Sequence, residues 1–279
     1  MFEIVSKKTL AENVIEMTII APRIAKAHKA GQFLILMNYE HSERIPLTIA
    51  DSNKETGEVT IVFLVVGFST RELSEKFNVK DKIYSVVGPL GTPTHIEKFG
   101  NVVVIGGGLG VAPIYPICKS LKDAGNEVTS IIGFRSKELM FWKEKIESAS
   151  SKTIVTTDDG SFEIKGFVTH ALKKLYEDGE KIDRVIAIGP PIMMKNVANM
   201  TKPWNIPTWV SLNTIMVDGT GMCGGCRLEI GGETKFVCVD GPDFDGHKVN
   251  WEEMEIRMKV YKKEEENLHK DYECKIGLK

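Results

Sequence analysis

The stretch Asn101–Pro113, "NVVVIGGGLGVAP", decides how the chain is to be read. Its first half is a β-branched run with no polar alternation, the pattern of a strand buried on both faces of a parallel sheet. Its second half sets Gly106, Gly107, Gly108 and Gly110 directly after that strand. Pro113 follows near a helix start, where a missing N–H costs little. Glycines there let a backbone approach a pyrophosphate, and a helix N-terminus offers unpaired N–H groups and a positive dipole end. The string departs from G-x-G-x-x-G, because Val111 stands where the last glycine belongs. A tight strand–helix turn with no ligand would use the same glycines, so the α/β setting has to carry the dinucleotide reading.

That setting continues downstream. "NEVTSIIGF", "KTIVTT", "DRVIAIGPP" and "PTWVSL" read as strands. "APIYPICKSLKDAG", "SKELMFWKEKIESA", "GFVTHALKKLYEDG" and "IMMKNVANMT" read as the helices between them. Such alternation predicts an open α/β sheet. Upstream the texture differs. "FEIVSKKTL", "VIEMTIIAP", "GQFLILMN", "RIPLTIAD", "GEVTIVFLVVG" and "DKIYSVVGP" are short β-branched segments bounded by Gly, Pro, Asn or Asp. They predict a small antiparallel barrel or sandwich ahead of the α/β domain. Two of its segments carry polar groups suited to phosphate. "GFSTREL" reads as a helix start with a Ser69-x-x-Glu72 capping box. Alternation in "RIPLT" puts Arg44, Pro46 and Thr48 on one face, where a guanidinium could clamp a diphosphate. Plain capping and a strand-surface charge are the simpler readings of each.

The text from Asn213 to about Asn250 is rich in Gly and Cys. It spaces three of the five cysteines as Cys223-x2-Cys226-x11-Cys238, with Asp218 five positions before Cys223. A structural zinc site usually brings two knuckles or a Cys/His pair. Here Asp218 or His247 would have to complete the set. The x4, x2, x11 order matches plant-type 2Fe–2S spacing with Asp218 in the first position, and the spacing favours the cluster over zinc. Cys118, in a helix, and Cys274, in the tail, receive no role. The charged tail "WEEMEIRMKVYKKEEENLHKDY" carries Trp251, Met254, Met258 and Tyr261 near helical spacing, a helix that could pack or dock.

A chain of 279 residues suggests two domains and an appendage. A net charge of −2 gives no reason to expect nucleic acid or an anionic membrane as partner. The longest apolar run, "IVFLVV" (61–66), is too short to span a bilayer. With no recognisable export signal and clustered thiols, the expectation is a cytoplasmic protein with a metal site.

Taken in order, "RIPLT", "GGGLGVAP" and the cysteine loop resemble the ferredoxin–NADP reductase superfamily. More narrowly, they resemble two families: the electron-transfer subunits of dihydroorotate dehydrogenase, and the small subunit of the electron-bifurcating NADH-dependent ferredoxin:NADP oxidoreductase. "TTDDGS", "AIGPPIMMK", "SLNTIMVDGTGMCGGCR" and "VCVDGPDFDGH" look like the second, and the first normally has Cys where Asp218 stands. The resemblance implies an antiparallel β-barrel FAD domain (1–98), an α/β parallel-sheet NAD(P) domain (99–215), a 2Fe–2S segment (216–250) and a C-terminal helix or tail (251–279). By the same resemblance Arg44 would hold the FAD pyrophosphate, while Pro46, Leu47 and Thr48 would line the flavin. Gly67, Ser69 and Thr70 would meet FAD phosphate or ribose. Gly106, Gly107, Gly108, Gly110 and Pro113 would face the dinucleotide, with Thr157, Asp158, Asp159, Gly189 and Pro190 lining its site. Asp218, Cys223, Cys226 and Cys238 would ligate the cluster.

Two departures stand out: Pro46 replaces the superfamily's stacking aromatic, and Leu109 replaces a common Thr. NAD(H) is the expected nucleotide, with NADP(H) as the alternative through Arg135 in "GFRS". The implied partners are a larger flavin/iron–sulfur subunit in a heterodimer and, through the complex, ferredoxin. No catalytic His or Glu is nominated, because hydride transfer to a flavin needs stacking and exclusion of water. A dihydroorotate dehydrogenase electron-transfer subunit and a zinc-stabilised scaffold are the competing readings.

Overall fold

In the computed structural model, residues 1–264 are described. The first ninety residues form strands β1 (Phe2–Ala11), β2 (Val14–Ile20), β3 (Phe33–Met37), β4 (Ile45–Asn53), β5 (Glu58–Leu64), β6 (Lys82–Ile83) and β7 (Ser85–Leu90). Helices α1 (Pro22–Ala27) and α2 (Phe68–Lys76) interrupt them. The strands pair antiparallel in the order β6-β1-β2-β5-β4-β3-β7. The two ends of that order, β6 and β7, are separated in the chain by Tyr84 alone. The sheet must therefore curl back on itself, and the result is a nearly closed barrel. Its interior is an apolar core including Ile4, Met17, Leu34, Ile61 and Phe63.

"DKIYSVVGP" is thus two strands, because its halves pair with opposite ends of the sheet: β6 with β1, β7 with β3. Helix α1 gives little local signal beyond Pro22 in its first turn, since no side chain caps it. The Ser69–Glu72 capping box does not form. Gly67 caps α2, and the Thr70 hydroxyl accepts from the Val66 and Gly67 N–H groups at 3.2 and 3.1 Å. Ser69 is drawn away to donate to the Glu43 carboxylate, and Glu72 accepts from Asn38 and Lys76.

The α/β domain follows with β8 (Asn101–Gly107), α3 (Val111–Asp123), β9 (Glu127–Phe134), α4 (Lys143–Ala149), β10 (Lys152–Thr157) and β11 (Ile164–Lys165). It continues with α5 (Val168–Glu177), β12 (Arg184–Ile188), α6 (Pro191–Thr201) and β13 (Thr208–Ser211). Beyond these lie the hairpin β14 (Arg227–Ile230) and β15 (Glu233–Phe236), then α7 (Val237–Asp240), β16 (Asp243–Asp245) and α8 (Trp251–Arg257). The large sheet runs β11-β10-β9-β8-β12-β13-β16, parallel except for the antiparallel edge strand β16. Strand order reverses between β8 and β12, the crevice where open α/β sheets bind ligands.

Two expectations are corrected here. "SKELMFWKEKIESA" is not one helix. It is a short 3-10 turn at Lys137–Leu139, then Trp142 in the left-handed region (φ 57°), then α4. The break turns consecutive aromatics to different partners: Phe141 packs edge-on against Phe134, and Trp142 against Tyr115. The tail helix buries Trp251 and Met254 but ends at Arg257, leaving Met258 and Tyr261 41% and 52% exposed. The remainder of the tail, with Cys274, lies outside the described residues.

The Cys-rich segment, which lacks periodicity in sequence, is organised from both ends. Strand β16 joins the edge of the parallel sheet, and the Gly231–Gly232 turn (φ 61° and 85°) closes the β14–β15 hairpin. It also packs on the barrel. A Cβ on Gly219 would lie 2.8 Å from Ile35 Cγ1 and 2.9 Å from Leu90 Cδ1, so only glycine admits this approach. Thr92 donates its N–H to the Gly241 carbonyl and its hydroxyl to that of Val239.

Candidate functional site

At the switch point the loop glycines divide into two kinds. A Cβ on Gly110 would fall 2.1 Å from the Ile188 carbonyl oxygen, and one on Gly107 would fall 2.3 Å from Met193 Sδ. Gly106 meets Ile114 and Val111, while Gly189 meets Met193 and the Gly107 carbonyl. These four let the ends of β8 and β12 close on each other. Gly108 differs: it has φ 53° and faces open space, leaving the backbone approachable. Neither α3, capped by Gly110, nor α6, capped by Pro190, has a side-chain cap. At α6 this leaves little for an anion, because Pro190 and Pro191 have no N–H and Met193 and Met194 donate theirs to the Pro190 carbonyl. Helix α3 continues a 3-10 turn at Gly108–Gly110, to which Val111 donates its N–H, so the approachable backbone is that of the glycine loop itself. Pro113 lies in the first turn of α3.

Two strands along the sheet from β8, Thr157 ends β10 and its hydroxyl bonds Phe162, while exposed Asp158 and Asp159 form the following turn. Bonds from the Ser161 hydroxyl and N–H hold the Asp159 carboxyl below its ordinary range. Arg135 stands exposed just past β9.

On the barrel, Ile45 to Thr48 form a half-buried row on β4, with Pro46 opposite Ile35 and Thr48 opposite Phe33. Arg44 precedes this row but is already engaged. Its Nε donates to the Val217 carbonyl at 2.8 Å and its Nη2 to the Asp218 carbonyl at 3.3 Å. Ser69 and Thr70 are buried and bonded within the barrel, whereas Gly67 is exposed with open space at its Cα. The β4 row, the start of the Cys loop and one guanidinium thus meet at a single seam.

The Cys loop winds through Gly219, Gly221 and Gly224 at φ 74°, 87° and 66°, a path closed to most side chains. Asp218 closes it: Oδ1 accepts from the Thr220 N–H and Oδ2 from the Cys223 N–H, both at 2.9 Å. The Thr220 bond is the main reason its carboxyl sits below the usual range. Cys226 Sγ lies 3.2 Å from Cys238 Sγ, both side chains buried, whereas Cys223 is exposed. Burial, then its thiol neighbour Cys226, pushes Cys238 up to about 12. Metal binding there must displace a proton.

The donor set fits a two-iron cluster. Two of its thiols, Cys226 and Cys238, lie sulfur to sulfur, and the Asp218 carboxylate, by accepting the Cys223 main-chain N–H, keeps the other two residues in one turn of the same loop. Backbone N–H groups already point at sulfur, Gly225 toward Cys223 and Cys238 toward Cys226, each at 3.4 Å. Such donors are what cluster sulfurs require. A single zinc ion fits less well. Among the described residues, no three His, Cys, Asp or Glu side chains gather around one point. His247, the reserve ligand, is bonded to Thr201 at 3.0 Å.

Sequence reasoning missed one contact of this loop. Arg257, on α8, donates to the Gly225 carbonyl at 2.9 Å. Nothing local signals it, because the partners are 32 residues apart and Arg257 reads as one charge in a charged tail.

Two family models match the chain. Residues 213–250 match the iron-sulfur cluster binding domain of dihydroorotate dehydrogenase B, and residues 104–199 match the oxidoreductase NAD-binding domain. A Thermotoga maritima protein named as a homolog of the dihydroorotate dehydrogenase B (NAD(+)) electron transfer subunit is 46% identical, over 94% of this chain and 92% of its own. The Bacillus pumilus dihydroorotate dehydrogenase B (NAD(+)) electron transfer subunit is 31% identical, over 88% and 96%. A solved structure from work on flavin-based electron bifurcation in the NADH-dependent reduced ferredoxin-NADP oxidoreductase superposes with a TM-score of 0.93. It is 45% identical and covers 98% of both chains. No helix among the described residues is long and apolar enough to cross a membrane.

Proposed function

Because this chain belongs to the family of dihydroorotate dehydrogenase B electron-transfer subunits, we propose that it moves electrons between NAD(H), FAD and a 2Fe–2S cluster. The complex we assign it to is an NADH-dependent ferredoxin:NADP oxidoreductase, with a larger flavin/iron–sulfur subunit as partner and ferredoxin reached through it. The observation that carries this reading is the buried Cys226–Cys238 sulfur pair in one loop with Cys223 and the Asp218 carboxylate that accepts its N–H, a loop held to the barrel through Arg44.

The bound flavin would supply the conversion of a two-electron hydride into single electrons that a cluster can accept. The chain's residues supply position. Gly108 and the glycine loop Gly106, Gly107 and Gly110 would receive the dinucleotide's phosphates at the switch point, with Pro113, Thr157, Asp158, Asp159, Gly189 and Pro190 around it. Pro46, Leu47 and Thr48 would line the flavin, with Arg44, Gly67 and the α2 start, including Ser69 and Thr70, toward its diphosphate. Asp218, Cys223, Cys226 and Cys238 would hold the two irons. The working division is 1–98 for FAD, 99–215 for nucleotide, 216–250 for the cluster and 251–279 for the tail.

The test is anaerobic purification from the native cell, with identification of the co-eluting subunit. Recovery with a flavin/iron–sulfur subunit supports the assignment. Recovery with an FMN-containing barrel subunit would place the chain in a dihydroorotate dehydrogenase, the reading that the names of its curated relatives favour. Steady-state rates with NADH and NADPH test the nucleotide: NADH is expected to win, and a large NADPH preference would assign Arg135 to a 2′-phosphate.

A further inference from the structure

We propose that Arg257 is a positioning residue for the cluster, fixing the peptide between two of its ligands and keeping a positive charge beside them. The inference rests on the cluster reading above. Arg257 Nη2 donates to the Gly225 carbonyl at 2.9 Å, and Gly225 directly precedes Cys226. A trans peptide sets its C=O and N–H in opposite directions, so holding this carbonyl also sets the direction of the Cys226 N–H. Arg44 does the same at the loop's other end, on Val217 and Asp218. The loop is therefore gripped by one guanidinium from the barrel and one from α8.

The charge of Arg257 is only partly met elsewhere. Its Nε is buried with no acceptor. Its ion-pair partner Glu253 stands at 3.9 Å, and the other oxygen of that carboxylate accepts the Glu229 N–H at 2.8 Å. Helix α8 is held independently of the loop: Asn250 caps it, Trp251 and Met254 are buried, and Glu255 pairs with Lys195 of α6 at 2.9 Å. Reduction adds negative charge to a cluster, so a fixed cation nearby stabilises the reduced form and raises the midpoint potential. Arrangements around the ligands tune a metal site in the same way as the ligands themselves.

The experiment compares the full chain with Arg257→Gln, Arg257→Lys and Glu255→Gln. It reads the cluster midpoint by EPR-monitored titration, and the rate of iron loss to a chelator. Arg257→Gln is expected to shift the midpoint more negative and to speed iron loss several-fold. Arg257→Lys should return the midpoint most of the way to the parent value. Glu255→Gln, which loosens the helix without touching the loop, should match the parent. A midpoint in Arg257→Gln equal to that of the parent, of Arg257→Lys or of Glu255→Gln overturns the proposal. Iron and acid-labile sulfide in the parent test the cluster reading separately: a parent without them removes that reading, whereas a loaded parent with indifferent variants removes only the role of Arg257.

Discussion

Arg44 Nε donates to the main-chain carbonyl of Val217 at 2.8 Å, joining the start of β4 on the barrel to the loop of the candidate cluster ligands. On the proposed function, one side chain would answer to both sites. Charge-assisted hydrogen bonds are worth about 1.5–3 kcal/mol. Arg44→Ala should accordingly weaken FAD binding about tenfold to hundredfold and also alter the reduced cluster's EPR line shape. Flavin retention on gel filtration and EPR of the same sample check this. A flavin defect with an unchanged cluster signal would mean that the Val217 contact has no bearing on the metal.

The glycine loop makes a second prediction. Gly110→Ala forces a Cβ against the Ile188 carbonyl, an overpacking cost of about 1–3 kcal/mol. At about 2–4 °C per kcal/mol, the melting temperature should fall by several degrees, and NADH affinity should fall with it. Gly108→Ala should cost about 1–2 kcal/mol for its left-handed backbone and raise KM for NADH without the added packing loss. Thermal melts and KM for each variant separate the two roles.

The two domains are latched by Lys145. Its Nζ lies 2.7 Å from Asp51 on β4, and over the rings of Tyr115 and Trp142 at 4.4 and 3.9 Å. Trp142 itself donates to Glu16 of β2 at 2.8 Å. Lys145→Ala should cost about 1–2 kcal/mol in stability. A double-mutant cycle with Asp51→Ala should show coupling between the pair, and strict additivity would remove the latch.

His28 gives the fold an acid limit. Burial drives its pKa down from 6.5 to about 4, its Nδ1 bonds Ser52 at 2.8 Å, and its Nε2 has no partner. The folded chain holds it neutral, whereas the unfolded chain protonates it below about 6.5. Its contribution is therefore complete above pH 6.5 and declines as the pH falls toward 4. Between pH 7 and 4.5 the loss is about 2 kcal/mol. Denaturant unfolding at the two values should show a smaller pH difference in His28→Gln than in the parent, and equal differences would assign the acid limit elsewhere.

How much of this was legible in the chain follows from the range of the interactions. The buried strand at Val102–Ile105, its glycine loop and the α/β alternation are local patterns, and the sheet forms where they fall. The cysteine spacing is local as well. What sequence could not supply was tertiary. Trp142 breaks a helical pattern because two aromatics must face different partners. Ser69 leaves its capping role for Glu43, a residue 26 positions away. "DKIYSVVGP" splits at Tyr84 because the barrel closes there. Arg257 finds Gly225 only once α8 has docked.

The central claim is that Asp218, Cys223, Cys226 and Cys238 together hold two irons. Metal and sulfide analysis of the anaerobically purified chain, with EPR after reduction, measures it most directly. The account predicts two irons and two acid-labile sulfides per chain, and an EPR signal that changes in Asp218→Cys. A colourless, iron-free protein carrying zinc would contradict it, and a signal identical in parent and Asp218→Cys would remove Asp218 from the ligand set.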